Sequence, residues 1–392
     1  MSRFDVEAHL SSVVKNIRPS GIRKYFDIAN ELEDVISLGV GEPDFVTPAH
    51  IRDAGITSLE NGHTYYTANS GLKELKSEIA KYLDRRFNLK YDAASQVLVT
   101  VGGSEAIDLA LRAIIEPGDE VLVPEPSFVC YKPDAQLAGA VAVPLETYEK
   151  DGFALTPEIL KAAITPKTKA LILPYPNNPT GGIMTKEQIE AIAEVLEGTN
   201  IFVISDEIYA ELTYGDNKHF SIAALPEMYD RTILVSGFSK AYAMTGWRLG
   251  YACAHPALIK QMTKIHQYAI MCSPTVSQYA AIEALRNGDE DIEKMKTEYN
   301  HRRKFIVNGM RTIGLSCFEP LGAFYVFPCI KSTGLLSDDF CEQLLLDQRV
   351  AVVGGTAFGD CGEGFIRCSY AYSLDSITNA LDRMELFLKK FK

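Results

Sequence analysis

The stretch SGFSKAYAMTGWRLGY, residues 236–251, holds the side chains with the most obvious chemical potential. Lys240 follows a strand-like run and a Gly-Phe-Ser turn, with Arg248 further along the same segment. A lysine at a strand end that faces a cleft loses solvation of its charged form. Its pKa falls, and the neutral amine becomes a nucleophile for a carbonyl carbon. Taken alone, a lysine is more often a solvated surface charge. Three other segments share its setting. VISDEIYAEL places Asp206 just past an apolar run, with Tyr209 three residues on. YPNNPTGG places Asn178 in a turn that also follows such a run, and VTVGGSEA places Gly102, Gly103 and Ser104 between a run and a helical pattern. Free amides and the helix dipole suit that last turn to an anion such as a phosphate. A plain tight turn is the equal alternative for that motif by itself, and the GxGxxG spacing of a dinucleotide site is absent.

Taken together, these groups meet the needs of one cofactor. Pyridoxal phosphate requires an amine for its aldehyde, a phosphate cup, an anion at its pyridine nitrogen, donors at its phenolic oxygen and a flat face against its ring. Lys240, the turn at Gly102 to Ser104 with Arg248, Asp206, Asn178 with Tyr209, and Phe128 supply these in turn.

Such side chains must be held by rigid elements. From Val97 to Tyr251, short apolar runs alternate with helical patterns: VLVTV (97–101), VLVP (121–124), VAVPL (141–145), ALILPY (170–175), IFVIS (201–205), TILVS (232–236) and LGYAC (249–253). They are nearly continuous in apolar residues, which predicts strands covered on both faces. After Val101, the residues Ala106, Leu109, Ala110, Ala113 and Ile114 fall on one helical face. The expected fold is therefore α/β, a mainly parallel central sheet with helices on both faces. In such a sheet the ligand crevice lies beyond the carboxyl ends of the strands, where all four segments can converge. The C-terminal third reads as a smaller α+β domain: a helix over 289–312, a short strand in GAFYVFP (322–328), and a final helix striped by Leu374, Ile377, Leu381, Met384 and Leu388. The expected division is 1–45 as an N-terminal arm and part of the small domain, 46–285 as the large α/β domain, and 286–392 as the small C-terminal domain.

Composition narrows the function. With 392 residues, two domains are the natural expectation, and 39 Lys+Arg against 51 Asp+Glu give a net charge of −12. An acidic chain without a basic tract is poorly suited to nucleic acid or an anionic membrane. No run reaches the roughly 18 apolar residues of a membrane span, and the N-terminus lacks a signal-peptide core. Eight cysteines without CxxC spacing predict reduced thiols in a cytoplasmic protein. No histidine or cysteine pattern predicts a metal site.

NNPTG, SDEIY, GFSKAYAMTGWRLG, ISLGVGEPDF and GEGFIRCSYA, in that company, resemble the fold-type I pyridoxal-phosphate aminotransferases of class I/II. The likeness runs from about residue 20 to 389, and its texture is most similar to aromatic and N-acetyl-diaminopimelate aminotransferases. The resemblance implies a cytoplasmic homodimer that moves an amino group between an L-amino acid and a 2-oxo acid by a ping-pong cycle. It also implies roles. Lys240 binds the cofactor covalently, is displaced by the substrate amine and carries the proton from the α-carbon to C4′. Asp206 keeps the pyridine nitrogen protonated, Asn178 and Tyr209 bond the phenolic oxygen, and Phe128 covers the ring. The Gly103 and Glu105 amides, the backbone and side chain of Ser104, Ser239 and Arg248 hold the phosphate, joined by Tyr66 from the partner subunit. Arg367 clamps the substrate carboxylate, helped by Gly39 and Asn178. Side-chain selection is expected from pocket walls and the N-terminal segment around Ile22.

Three departures stand out. Gly237 occupies a place where many relatives carry a hydroxyl, so one phosphate contact is expected to be missing or replaced. VVGG (352–355) predicts a looser loop before Arg367. QYAIMCSPTVSQ (267–278) lacks the arginine of dicarboxylate-specific members, which leans against strict aspartate specificity. The alternatives are a lyase of the same fold acting by β- or γ-elimination, and an aspartate- or alanine-type aminotransferase.

Overall fold

The computed structural model describes residues 5–22 and 32–391. All seven apolar runs become strands of one sheet: β1 (Val97–Thr100), β2 (Glu120–Glu125), β3 (Val141–Glu146), β4 (Thr168–Leu173), β5 (Phe202–Asp206), β6 (Thr232–Gly237) and β7 (Gly250–Cys253). Their spatial order is β1-β7-β6-β5-β4-β2-β3, with β7 antiparallel to both neighbours and every other pair parallel.

The runs are continuous because each strand feeds two cores. Along β6, Ile233 and Val235 pack with Ala106, Leu109 and Met262 from the helices Gly102–Ile114 and Pro256–Ala269. Leu234, between them, points the other way and packs with Leu75, Ile79 and Ala281 from Lys73–Phe87 and Thr275–Asn287. Alternate side chains of a strand face opposite sides, so a sheet clad on both faces needs apolar residues at every position. Farther along the sheet, Leu171, Leu173 and Val203 meet Ile189, Ile192 and Leu196 of the helix Lys186–Leu196.

The smaller domain has its own core. Helices Asp289–Thr312, Ser337–Gln348 and Leu374–Leu388 bury Met295, Tyr299, Ile306, Met310, Phe340, Leu344, Ile377 and Met384 in one cluster. Leu374, which opens the final stripe, stays exposed at the first helical position while the residues that follow it in the stripe are buried. A three-stranded antiparallel sheet places Ile366–Ser369 between Tyr325–Val326 and Val353–Gly354. Ile36–Ser37 pairs in parallel with Val350–Ala351, so chain from before the large sheet joins chain from after it. The segment VVGG is not a loose loop: Val353 stands opposite Arg367 in register, and a Cβ on Gly355 would come 2.0 Å from the Gly362 carbonyl oxygen. Backbone pairing, together with a close chain crossing, accounts for the glycines there. Among the described residues no helix is long and apolar enough to cross a membrane.

Candidate active site

Strands β1, β2, β4, β5 and β6 all end at one edge of the sheet, where the antiparallel β7 begins. Each of their following turns delivers a side chain or an amide to a single cavity of about 370 Å³, within the usual range for a cofactor or substrate site. Its walls include Ser104 after β1, Phe128 after β2, Asn178 after β4, Asp206 at the end of β5, Lys240 after β6 and Arg248 before β7. Tyr325 and Arg367 close it from the small domain's sheet.

Lys240 Nζ donates to the Gly41 carbonyl at 2.7 Å. Burial, aided by the positive charges of Arg367 and Arg248, pulls its pKa down to about 8, against the opposing pull of Glu42 and Asp206. Near physiological pH such an amine is neutral in a far larger fraction than an ordinary lysine, and the neutral form is the carbonyl nucleophile.

Asp206 is buried, and burial raises its pKa, opposed by the Tyr131 hydroxyl and the Ile208 amide. The Tyr131 hydroxyl donates to Oδ2 at 2.7 Å and the Ile208 N–H to Oδ1 at 3.1 Å. Both donors favour the charged carboxylate, the form required opposite a protonated ring nitrogen. Tyr209 lies 2.9 Å, hydroxyl to hydroxyl, from Tyr325, and burial pushes its own phenol well above the ordinary range.

The turn after β1 opens the helix Gly102–Ile114, whose first N–H groups lack carbonyl partners within the helix. Arg248 is packed against it, since a Cβ on Gly102 would meet Arg248 Nη2 at 2.6 Å. Gly237 and Gly250 are paired across β6 and β7, and a Cβ on Gly237 would lie 2.9 Å from the Gly250 Cα. Glycine at 237 is thus a packing requirement between neighbouring strands. Gly250 is more constrained still: a Cβ there would come 2.6 Å from the Gly102 carbonyl carbon and 2.7 Å from the Gly103 nitrogen. Gly250→Ala should therefore push the Gly102–Gly103 turn outward. Overpacking costs about 1–3 kcal/mol, so cofactor affinity is expected to fall about tenfold or more, measured by titrating apoprotein with cofactor. Unchanged affinity would show that the turn's position is immaterial.

Arg367 is 1 % exposed, an unusual place for a guanidinium. Nη1 donates to Asn178 Oδ1 at 2.9 Å and Nη2 to the Gly39 carbonyl at 2.5 Å. Because arginine only donates, the Asn178 oxygen must face it, which leaves the Asn178 amide NH₂ as the remaining donor. The Arg367 Nε is buried and without a partner. A cation so placed calls for an anion with two acceptor oxygens.

The cavity gathers Gly103, Ser104, Phe128, Asn178, Asp206, Tyr209, Ser239, Lys240, Arg248 and Arg367 from the residues singled out by sequence. Gly39 does not line it and acts through the carbonyl that holds Arg367. Glu105 points away: its carboxylate accepts from the Val101 N–H, capping the helix, and meets buried His266 Nδ1 at 2.7 Å. Tyr66 is 79 % exposed and outside this cavity. Ile22 lines the wall, while residues 23–31 lie outside the described part of the chain. Tyr131, Tyr325, Gly41 and Glu42 also contribute and were not singled out.

The family model for aminotransferases of class I and II matches residues 33–384. The chain is 54% identical over 383 residues to a putative aminotransferase, YugH, of Bacillus subtilis, covering 98% of this chain and 99% of that one. It is 43% identical to a probable N-acetyl-LL-diaminopimelate aminotransferase of the same organism, covering 98% and 97%. Relatives named as aspartate aminotransferases fall in the same range. An aromatic aminotransferase structure from Pyrococcus horikoshii superposes with a TM-score of 0.90 at 44% identity, covering 93% and 98%. The protein therefore belongs to the class I and II aminotransferase family, and it is an enzyme whose cofactor is pyridoxal phosphate. The residues present suit that cofactor: a neutralisable amine, a buried carboxylate, an amide-rich turn beside an arginine, and a second arginine with a free buried N–H.

Proposed function

We propose that this aminotransferase transfers the amino group of an L-amino acid with an aromatic or otherwise apolar side chain to a 2-oxo acid, in two half-reactions at one site. The observation that carries this reading is the charge pattern of the cavity. Among the described residues its cations are Lys240, Arg248 and Arg367, and each has a task other than gripping a second substrate carboxylate. The remaining walls include Ile22, Val40, Ile107, Phe128 and Ile208, all apolar. N-acetyl-diaminopimelate is the second substrate to try, given the relative of that name.

Pyridoxal phosphate, when bound, supplies an aldehyde that captures amines and a ring that accepts the electrons released at the α-carbon. Lys240 would be the amine that holds the aldehyde. Freed by a substrate amine, it would act as the base that takes and returns the substrate's α-proton. Asp206, whose carboxylate form is favoured by the Tyr131 and Ile208 donors against the upward pull of burial, would hold a proton on the pyridine nitrogen. Asn178 and Tyr209 would donate to the phenolic oxygen. The amides at Gly103, Ser104 and Glu105, with Ser239 and Arg248, would take the phosphate, and Phe128 would cover the ring. Arg367, steadied by Asn178 and Gly39, orients the substrate by its carboxylate.

The assembly is a homodimer in this reading, with Tyr66 of one protomer completing the phosphate site of its partner. Its exposure, with that of neighbouring Tyr65, supports this. The pairing of Ile36–Ser37 with Val350–Ala351 supports grouping 1–45 with 286–392 as the small domain, beside 46–285. A cytoplasmic location belongs to this reading, since eight cysteines without CxxC spacing suit a reducing compartment.

The test is a screen of single amino acids against the holoprotein, following conversion of the cofactor's visible band to that of its aminated form. Aromatic amino acids should convert it fastest. A response confined to aspartate and glutamate would overturn the substrate class, and pyruvate and ammonia released without an oxo-acid acceptor would favour a lyase. The lowered Lys240 pKa makes a separate prediction. Only the neutral amine captures an aldehyde, so capture by apoprotein should rise with pH to half-maximum near pH 8, the value that burial and the two arginines impose. A rate still climbing through the ordinary lysine range would contradict that environment.

A further inference from the structure

Tyr325 sits in GAFYVFP, where the sequence signals no more than a strand. That strand pairs antiparallel with the one carrying Arg367, with Tyr325 opposite Ser369 and Val326 opposite Cys368. Arg367 lies two residues from Ser369, so it shares a face with Tyr325 in the diagonal relation that long side chains can span. The guanidinium carbon of Arg367 is 4.5 Å from the Tyr325 ring centroid and 4.8 Å from that of Phe358. At the other end of the same side chain, the hydroxyl is 2.9 Å from that of Tyr209. A Cβ on Gly41 would come 2.3 Å from the Tyr325 hydroxyl oxygen, and the Gly41 carbonyl is the one that accepts from Lys240. The absence of a side chain at position 41 is what gives the phenol its place.

We propose that Tyr325 is a positioning residue that ties the carboxylate clamp at Arg367 to the hydrogen-bonding strength of Tyr209. This rests on the roles given above to Arg367 and Tyr209. The ring does one half of the work: a cation over an aromatic face is held electrostatically, which fixes the plane of the guanidinium toward the substrate. The hydroxyl does the other half. A phenol beneath a positive charge is the better donor, so Tyr325 donates to the Tyr209 oxygen and leaves the Tyr209 proton for the cofactor's phenolic oxygen. Hydrogen bonds in such a chain strengthen one another. The two functions reside in different atoms of one side chain and can be separated.

Tyr325→Phe keeps the ring and removes the hydroxyl, whereas Tyr325→Leu removes both. Two readouts on the holoproteins distinguish them, neither needing turnover. One is the pH midpoint of the cofactor's visible absorption change. The other is the dissociation constant of 3-phenylpropanoate, an unreactive monocarboxylate, from spectral titration. With a weaker donor at the phenolic oxygen, more negative charge stays there to hold the neighbouring proton. The midpoint should therefore move up by about half a pH unit in both variants. The carboxylate should bind within about twofold of the parent in the Phe variant and about tenfold more weakly in the Leu variant. An unmoved midpoint in Tyr325→Phe overturns the link to Tyr209, and weakened carboxylate binding in that variant overturns the assignment of the clamp to the ring. Tyr325→Phe decides both points even if the Leu variant fails to fold. If the parent holoprotein itself does not bind the carboxylate through Arg367, shown by unchanged binding in Arg367→Lys, the site reading fails before the Tyr325 inference is reached.

Discussion

Lys240→Ala is expected to bind pyridoxal phosphate by its other contacts and yet lose turnover by several orders of magnitude. The two consequences have separate origins. In the proposed site the phosphate would be held by the turn at Gly103 and Ser104, Ser239 and Arg248, which line the same cavity as Lys240. Proton transfer at the α-carbon would fall to Lys240, whose amine is lowered to about 8 by burial and by two neighbouring arginines. General acid–base catalysis by a positioned side chain alone contributes roughly 10²–10⁴-fold, and loss of the covalent link adds to that. Adding a small exogenous amine such as methylamine should restore part of the activity, since the cavity left by the side chain admits it. Measured by kcat for the preferred amino acid, near-normal turnover in Lys240→Ala would remove the residue from the chemistry.

The second large effect belongs to Arg367. A fully buried guanidinium has a high desolvation cost, and burial lowers its pKa. Two of its donors go to Asn178 and Gly39, leaving three N–H groups of the five it carries. Two of these can grip a carboxylate side by side, at roughly 1.5–3 kcal/mol for each charge-assisted bond. Arg367→Ala should lower kcat/KM by roughly two to four orders of magnitude, for amino acid and 2-oxo acid alike, because both present the same carboxylate. Arg367→Lys should recover only part of this, since an ammonium is a point charge without the planar fork. Cofactor binding should be little changed in both variants. A loss confined to one of the two substrates would place Arg367 at a side-chain pocket instead.

The parts of this site that were legible in the sequence are those set by local rules. Seven strands could be read as continuous apolar runs because both faces of the sheet are buried, and the helix after Gly102 could be read from its periodicity. Turns at the strand ends then had to project Asp206, Asn178 and Lys240 to one edge, whatever the details of packing. The small domain was harder. GAFYVFP is broken into two separately paired strands, Tyr325–Val326 and Pro328–Cys329, and neither pairing leaves a trace in the pattern of the stretch itself.

The residues that escaped are those whose role depends on distant chain. Tyr131 opens a short helix after β2, and only the tertiary fold brings its hydroxyl to Asp206. Tyr325 and Gly41 meet only through the tertiary fold, and the Glu105 carboxylate is turned away from the cavity toward the Val101 N–H and His266. A signal existed for some of them. A tyrosine hydroxyl buried in an apolar run needs a partner, and a glycine in the middle of LGVGEPDF marks a close approach. Neither signal says which partner. The same limit explains Gly237 and the VVGG segment, which read as departures from the family pattern and turn out to carry glycines, at 237 and 355, where two backbones nearly touch.

Borohydride reduction of the holoprotein tests the proposed covalent role of Lys240 without relying on catalysis. Reduction makes the linkage permanent, and peptide mapping by mass spectrometry then locates the pyridoxyl group. A single modified peptide is expected, with the mass increment on Lys240. A pyridoxyl group found on a different lysine, or on none, would contradict it.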